Sequence, residues 1–160
     1  MQWVYADPHY YHKNIIAYEK RPFRDLSGMH YSMIYAHNNY ISKRDKVFIL
    51  GDFSFGNKEQ TTEIVSQLNG YKILILGNHD RARSRKWWVE TGFNEVISYP
   101  IIINNFYILS HEPVYIAKGI YVNIHGHLHG RALYENNFIN VGLDYTNFIP
   151  TNLDQLILNL

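Results

Sequence analysis

A chain of 160 residues with 46% hydrophobic and 18% charged residues has the composition of one globular domain, which excludes a disordered or low-complexity protein. Fifteen Lys and Arg against 14 Asp and Glu leave a formal net charge of +1, so any affinity for nucleic acid has to come from a local patch. The lack of cysteine excludes disulfides and thiolate metal sites and fits a reducing compartment. No basic segment leads into an apolar core after Met1, and no apolar run is long enough to span a bilayer, so the expected address is the cytoplasm, the host's if the gene is viral.

In chain order, short runs rich in Val, Ile, Leu and aromatic residues predict buried strands at Trp3 to Ala6, Val47 to Leu50, Tyr71 to Leu76, Phe106 to Leu109, Ile120 to Ile124 and Phe138 to Val141. Helical patterning lies at His30 to Ile41 and at Lys58 to Leu68, where Ile64, Val65 and Leu68 share a face and Asn69-Gly70 supplies a stop. The segment Arg81 to Glu90 is a third candidate. Alternation of strand and helix in the first half argues for a parallel sheet; shorter connections in the second half argue for a meander packed against it. No repeat or linker divides the chain, so one domain over residues 1–160 is expected.

Five of the strands end in side chains that suit a metal ion, where open α/β sheets gather functional groups. The first ends in Asp7-Pro8-His9, a carboxylate and an imidazole able to converge on one ion, although Asp-Pro is also turn chemistry. The second ends in Gly51-Asp52, whose carboxylate has two oxygens with which to bridge two cations. The third ends in Gly77-Asn78-His79-Asp80, an amide oxygen followed by a histidine, which could equally be a cap and turn. The fourth ends in His111-Glu112-Pro113, and the fifth in His125-Gly126-His127-Leu128-His129-Gly130, where His127 and His129 need a loop to aim both rings at one site.

Taken in order, Asp7-Pro8-His9, Gly51-Asp52, Gly77-Asn78-His79-Asp80, His111 and Gly126-His127-Leu128-His129 resemble the motif blocks of the calcineurin-like metallophosphoesterase superfamily. Asp7, His9, His12 and Asn14 match the Asp-x-His-x-x-His-x-Asn start of its small bacterial and phage-type members. The chain does not look like the protein serine/threonine phosphatases, because Phe55-Gly56 and Asp80 stand where those carry Asp-Arg-Gly and Glu. The resemblance implies an α/β fold, a four-layer α/β/β/α sandwich, around two divalent metal ions. Asp7, His9 and His129 would hold one ion, Asn78, His111 and His127 the other, and Asp52 would bridge them. Oxygen and imidazole ligands suit Mn²⁺, Fe or Zn²⁺ and do not by themselves choose between these; Mn²⁺ is the ion expected. By the same resemblance His79 is left to act on the substrate, as an electrostatic stabiliser or general acid. An aspartate that orients this histidine in the protein phosphatases is replaced here by Phe55.

The activity this implies is in-line attack by a hydroxide shared between ions about 3.5 to 4 Å apart on a phosphate ester, a phosphodiester before a phosphomonoester. Two ions, two aspartates and that hydroxide carry a formal charge of about +1, which attracts phosphate. His12 and Tyr11 beside the first block, and Arg81 and Arg83 after the third, are candidate substrate contacts. The tract Arg81 to Trp88 reads either as a patch for a nucleotide or single-stranded nucleic acid or as a solvated basic helix face with packed tryptophans. His125 is expected to be structural, and His30 and His37 carry no assigned function. Three readings follow: a hydrolase of small or nucleotide-like phosphodiesters, a nuclease on longer nucleic acid, or a non-catalytic interaction scaffold. Retention of His79 and all seven ligand positions argues against the third.

Overall fold

The computed structural model describes residues 1–115, 120–133 and 135–160. Its first half winds a parallel sheet: β1 (Gln2–Tyr5), β2 (Lys46–Ile49), β3 (Tyr71–Ile75) and β4 (Glu95–Ile97) pair side by side, and β9 (Thr151–Asn152) closes the β1 edge antiparallel. The connections carry α1 (Ile15–Tyr18) and α2 (Leu26–Tyr40), then α3 (Lys58–Gln67), then α4 (Arg85–Glu90). A second sheet is ordered β5 (Ile101–Ile103), β6 (Tyr107–Ser110), β7 (Val122–His125) and β8 (Phe138–Asn140). The last helix, α5 (Leu153–Leu158), follows β9 directly.

Alternation along the central strands explains why the chain forms two cores. Trp3 and Tyr5, Val47 and Ile49, and Leu74 and Leu76 face one way, into a core shared with Met29 and Met33 of α2, Ile64 and Val65 of α3 and Trp88 of α4. Val4 and Ala6, Phe48 and Leu50, and Ile73 and Ile75 face the other way, against Leu109 and Ile124 of the second sheet, Val141 just after β8 and Leu153 of α5. Because a strand turns successive side chains to opposite faces, a run apolar at every position fits only a sheet covered on both sides. The product is an α/β fold of two sheets flanked by helices.

The parallel first half agrees with the strand and helix alternation read from the sequence. The predicted meander does not hold: β5 and β6 pair antiparallel, but β6 with β7 and β7 with β8 are parallel. Parallel neighbours need crossovers, and the segments 111–121 and 126–137 that provide them also carry the histidine-bearing loops. Asp25 starts α2 earlier than its apolar pattern suggests, accepting from the Gly28 amide as its N-cap, while Asn57 and Gln60 form a reciprocal capping box on α3. The candidate helix at Arg81 to Glu90 divides into a short 3₁₀ turn at Asp80–Ala82 and α4, because Ser84 breaks the run and caps the Trp87 amide.

Candidate metal centre

Beyond the carboxyl ends of the strands, the backbone keeps pairing as loops. The amides of Asp7, His9 and Tyr10 donate to the carbonyls of Gly51, Asp52 and Phe53, and Phe55 N returns to Tyr10 O. Ala6 N donates to the Val141 carbonyl and Leu143 N to the Ala6 carbonyl, tying the first sheet to the segment after β8, and His127 N donates to Asp7 Oδ2 at 2.8 Å. Asp7, His9, Asp52, His127 and His129 all have positive φ, from 52° to 66°. For residues with a β-carbon this conformation costs about 1 to 2 kcal/mol each, so it persists only where surrounding bonds enforce it, and such strain gathers at functional sites. At Asp7 and His9 the kinked backbone lets alternate side chains converge, and at His127 and His129 it sends alternate side chains into neighbouring clusters.

Two clusters result. In the first, Asp7, His9 and His129 bring one ligand-capable atom each within 4.8 Å of one another; in the second, Asp52, His111 and His127 do the same. Asp52 Oδ2 stands between them, 3.7 Å from His9 Nε2 and 3.4 Å from His111 Nε2. The Asn78 amide oxygen closes the second cluster, 2.9 Å from His111 Nε2 and 3.1 Å from His127 Nδ1.

The donor chemistry fits cations. His111 Nδ1 is spent on the Leu50 carbonyl at 2.8 Å, which leaves its Nε2 facing Asn78 Oδ1, Asp52 Oδ2 and His127 Nδ1, three further lone-pair atoms. In the first cluster Asp7 Oδ1 and both ring nitrogens of His9 are buried without a hydrogen-bond partner. Unpaired buried polar atoms are costly in a folded chain, and Asp7 Oδ1 and His9 Nε2, 4.0 Å apart, share a space that a cation suits. The electrostatics agree: burial pushes Asp7 up to about 7 and His9 down to about 2. Burial opposes charge on Asp52 and His111 too. Their mutual hydrogen bond and attraction nonetheless hold Asp52 at about 2 and raise His111 to about 9.

Two glycines make room for the carboxylates. A β-carbon on Gly77 would lie 2.2 Å from Asp52 Oδ1, and one on Gly126 would lie 2.3 Å from Ala6 Cβ and 2.7 Å from Asp7 Oδ2.

Residues 3–158 match the family model described as calcineurin-like phosphoesterase. The chain belongs to the calcineurin-like phosphoesterase family. It is 32% identical over 168 aligned residues to the uncharacterized protein MJ1445 of Methanocaldococcus jannaschii, an alignment covering 97% of this chain and 88% of that one. Its fold is similar to that of the protein of unknown function AQ665 from Aquifex aeolicus, with a TM-score of 0.79 and 24% identity over 100% of this chain and 99% of the other. Membership supports a hydrolase of phosphoesters and implies divalent metal ions, for which this calcineurin-like phosphoesterase has the two clusters described.

Around the clusters stand residues that the sequence reading passed over. Arg21, fully buried at its side chain, grips Asp144 through Nε and Nη2 at 2.8 Å and donates to the carbonyls of Asp7 and Pro8. Asp144 in turn meets His129 Nδ1 at 2.9 Å. Asp80, also buried, accepts from the amides of Asp52, Phe53 and Gly77 and so ties the loops after β2 and β3 together. Asp144 follows the sixth predicted strand, and the criterion of an acid beyond an apolar run would have found it. Nothing local marks Arg21, whose guanidinium finds its oxygen partners 13 or more positions away.

The remaining candidates fall around this centre. The His79 amide donates to Asp52 Oδ1 at 3.0 Å, while its ring is 51% exposed with Nε2 3.8 Å from Asp52 Oδ2. His12 lies beside His9, with ring centroids 5.6 Å apart. Tyr11 has φ of 62° and hydrogen-bonds through its amide to His30 Nε2, which gives His30 a structural task. Arg81 forms a bidentate exposed pair with Glu112. Arg83 donates to the carbonyls of Ser54 and Gly56 and lies over Trp87 and Trp88, so its guanidinium braces loops. His125 belongs to neither cluster, is buried, and meets the Gly126 carbonyl. Among the described residues no helix is long and apolar enough to cross a membrane.

Proposed function

We propose that this protein hydrolyses phosphodiesters of small or nucleotide-like compounds at a two-metal centre. Asp7, His9 and His129 would hold one divalent ion, Asn78, His111 and His127 the other, and Asp52 both; the oxygen and imidazole ligands admit Mn²⁺, Fe or Zn²⁺, of which Mn²⁺ is the ion proposed. The observation that carries this reading is the convergence of buried, unpartnered Asp7 Oδ1 and His9 Nε2 on the same region as Asp52. Such ions supply positive charge against the phosphoryl oxygens and acidify a water near neutral pH.

The chain's own residues do the rest. Asp52 sets the spacing of the clusters and is itself held in place by the His79 amide. His79, with its ring exposed beside Asp52, is placed to donate a hydrogen bond to a phosphoryl oxygen or to the leaving oxygen of a bound ester. Arg21 and Asp144 orient His129, and Asp80 keeps the Asp52 and Asn78 loops in register. A small substrate is favoured over long nucleic acid by the weak net charge and by Arg81 and Arg83, whose guanidinium groups are engaged with Glu112 and with loop carbonyls.

The test is a Mn²⁺-supplemented assay against aryl phosphodiesters, phosphomonoesters, cyclic nucleotides and single- and double-stranded nucleic acid, from mildly acidic to mildly alkaline pH. Turnover of diesters with weak dependence on salt supports the reading. Steep loss with salt on polymeric substrates moves the nuclease forward, and no turnover of any phosphoester overturns the proposal.

A further inference from the structure

Phe55 is an apolar ring displayed at the mouth of the metal centre. It is 38% exposed, whereas Phe53, two positions earlier on the same loop, is fully buried among Tyr10, Trp88 and Phe93. Three imidazoles surround it: His9 nearly parallel at 5.6 Å between centroids, His12 edge-on at 4.4 Å and His79 at 5.1 Å. Phe55 therefore touches one candidate metal ligand and the candidate proton donor at the same time.

The loop that presents this ring is unusually well held. Arg83 donates at 2.7 Å to the carbonyls of Ser54 and Gly56, the residues on either side of Phe55, and its guanidinium lies 4.3 Å from the Trp87 ring centroid. Phe55 N donates to Tyr10 O, and Ser54 Oγ meets Thr61 Oγ1 and accepts from the Gly56 amide. A loop braced on both sides of Phe55 cannot fold over the ring, so its open face stays available beside the imidazoles of the centre.

Resting on the phosphodiesterase reading above, we propose that Phe55 is a stacking platform for a planar heteroaromatic group on the substrate, a nucleobase in the simplest case, with Arg83 as its positioning residue. A flat ring face offers stacking that any base accepts, and the imidazole edges around it give the polar border that a heteroaromatic ring needs and an alkyl chain does not. The platform touches His79, so a base resting on it brings its attached ester within reach of that histidine.

The experiment compares kcat/KM of the Mn²⁺-loaded protein for a dinucleotide with that for its counterpart lacking the base on the leaving side, in wild type, Phe55→Leu, Phe55→Trp and Arg83→Met. Wild type should favour the base-bearing ester about ten-fold, mostly through KM, within the range that stacking on one aromatic ring supports. Phe55→Leu should bring the ratio close to one, Phe55→Trp should keep it, and Arg83→Met should lower it with the fold intact by circular dichroism. A ratio of one in wild type, or an unchanged ratio in Phe55→Leu, overturns the inference. Calorimetric titration of thymidine 5′-monophosphate against deoxyribose 5-phosphate gives the same comparison without turnover. If no ester is cleaved, the hydrolase reading fails while this binding ratio still decides the role of Phe55.

Discussion

Nδ1 of His129 stands 2.9 Å from Oδ2 of Asp144, and that contact settles which ring nitrogen of His129 is left to face Asp7 and His9. Since Arg21 holds the same carboxylate from behind, the imidazole is fixed by a chain of three side chains. Asp144→Asn should keep the packing and weaken Mn²⁺ binding about 10- to 100-fold, the usual effect of losing a partner behind a metal ligand. Arg21→Met removes one member of a buried ion pair and should cost about 3 to 5 kcal/mol of stability. Mn²⁺ titration and urea unfolding of the two variants check these expectations, and equal metal affinity in Asp144→Asn would remove the orienting role.

Gly77 is predicted to tolerate no side chain. A β-carbon there meets Asp52 Oδ1 at 2.2 Å and Asp52 N at 2.5 Å, so Gly77→Ala must displace the carboxylate placed between the two clusters. Bound metal, measured by elemental analysis of the purified variant, should fall severalfold. Gly130→Ala, with nothing within 4 Å of the added carbon, is the matched control and should retain it.

A pH effect separate from the centre is expected from His37. It is 2% exposed, hydrogen-bonded to Tyr5 Oη and the Asn69 carbonyl, and burial lowers its pKa to about 4. Between the ordinary value of about 6.5 and 4, the unfolded chain binds a proton that the folded chain refuses, so stability falls as the pH is lowered through this window. At pH 5 the loss relative to neutral pH is about 2 kcal/mol from this residue. Urea unfolding of wild type and His37→Gln at pH 7 and pH 5 tests the sign: the stability advantage of wild type should shrink on acidification, and a constant difference would refute it.

Turnover and metal binding should come apart at His79. Its ring is exposed and closes neither cluster, so His79→Ala should keep its metal and lose about 100-fold or more in kcat, the scale of general acid catalysis. Asp52→Asn should lose both. Metal content measured beside kcat distinguishes the two variants, and collapse of metal binding in His79→Ala would mean that ligand and catalyst have been wrongly separated.

The residues that line this centre were readable in the sequence because each directly follows an apolar strand, and period-two alternation on both faces marks those strands as central. That is why Asp7, Asp52, Asn78, His111 and His127 stand out without coordinates. What escaped depends on contacts between distant positions. Arg21 reaches Asp144 across 123 positions and carries no local pattern, and Asp80, although it stands in the third block, takes its role from the amides of a different loop. The direction of the second sheet escaped for a related reason: a connection long enough for a parallel crossover looks, in sequence, like an irregular turn. In the sequence Phe55 marks only an absent aspartate, because its display depends on Arg83, which holds the carbonyls on both sides of it from 27 and 29 positions away.

Anomalous diffraction from crystals soaked in Mn²⁺ tests the central claim most directly. Two strong peaks are predicted per chain, one among Asp7, His9 and His129 and one among Asn78, His111 and His127, with Asp52 touching both. A single peak, or peaks away from Asp52, would contradict the two-metal account.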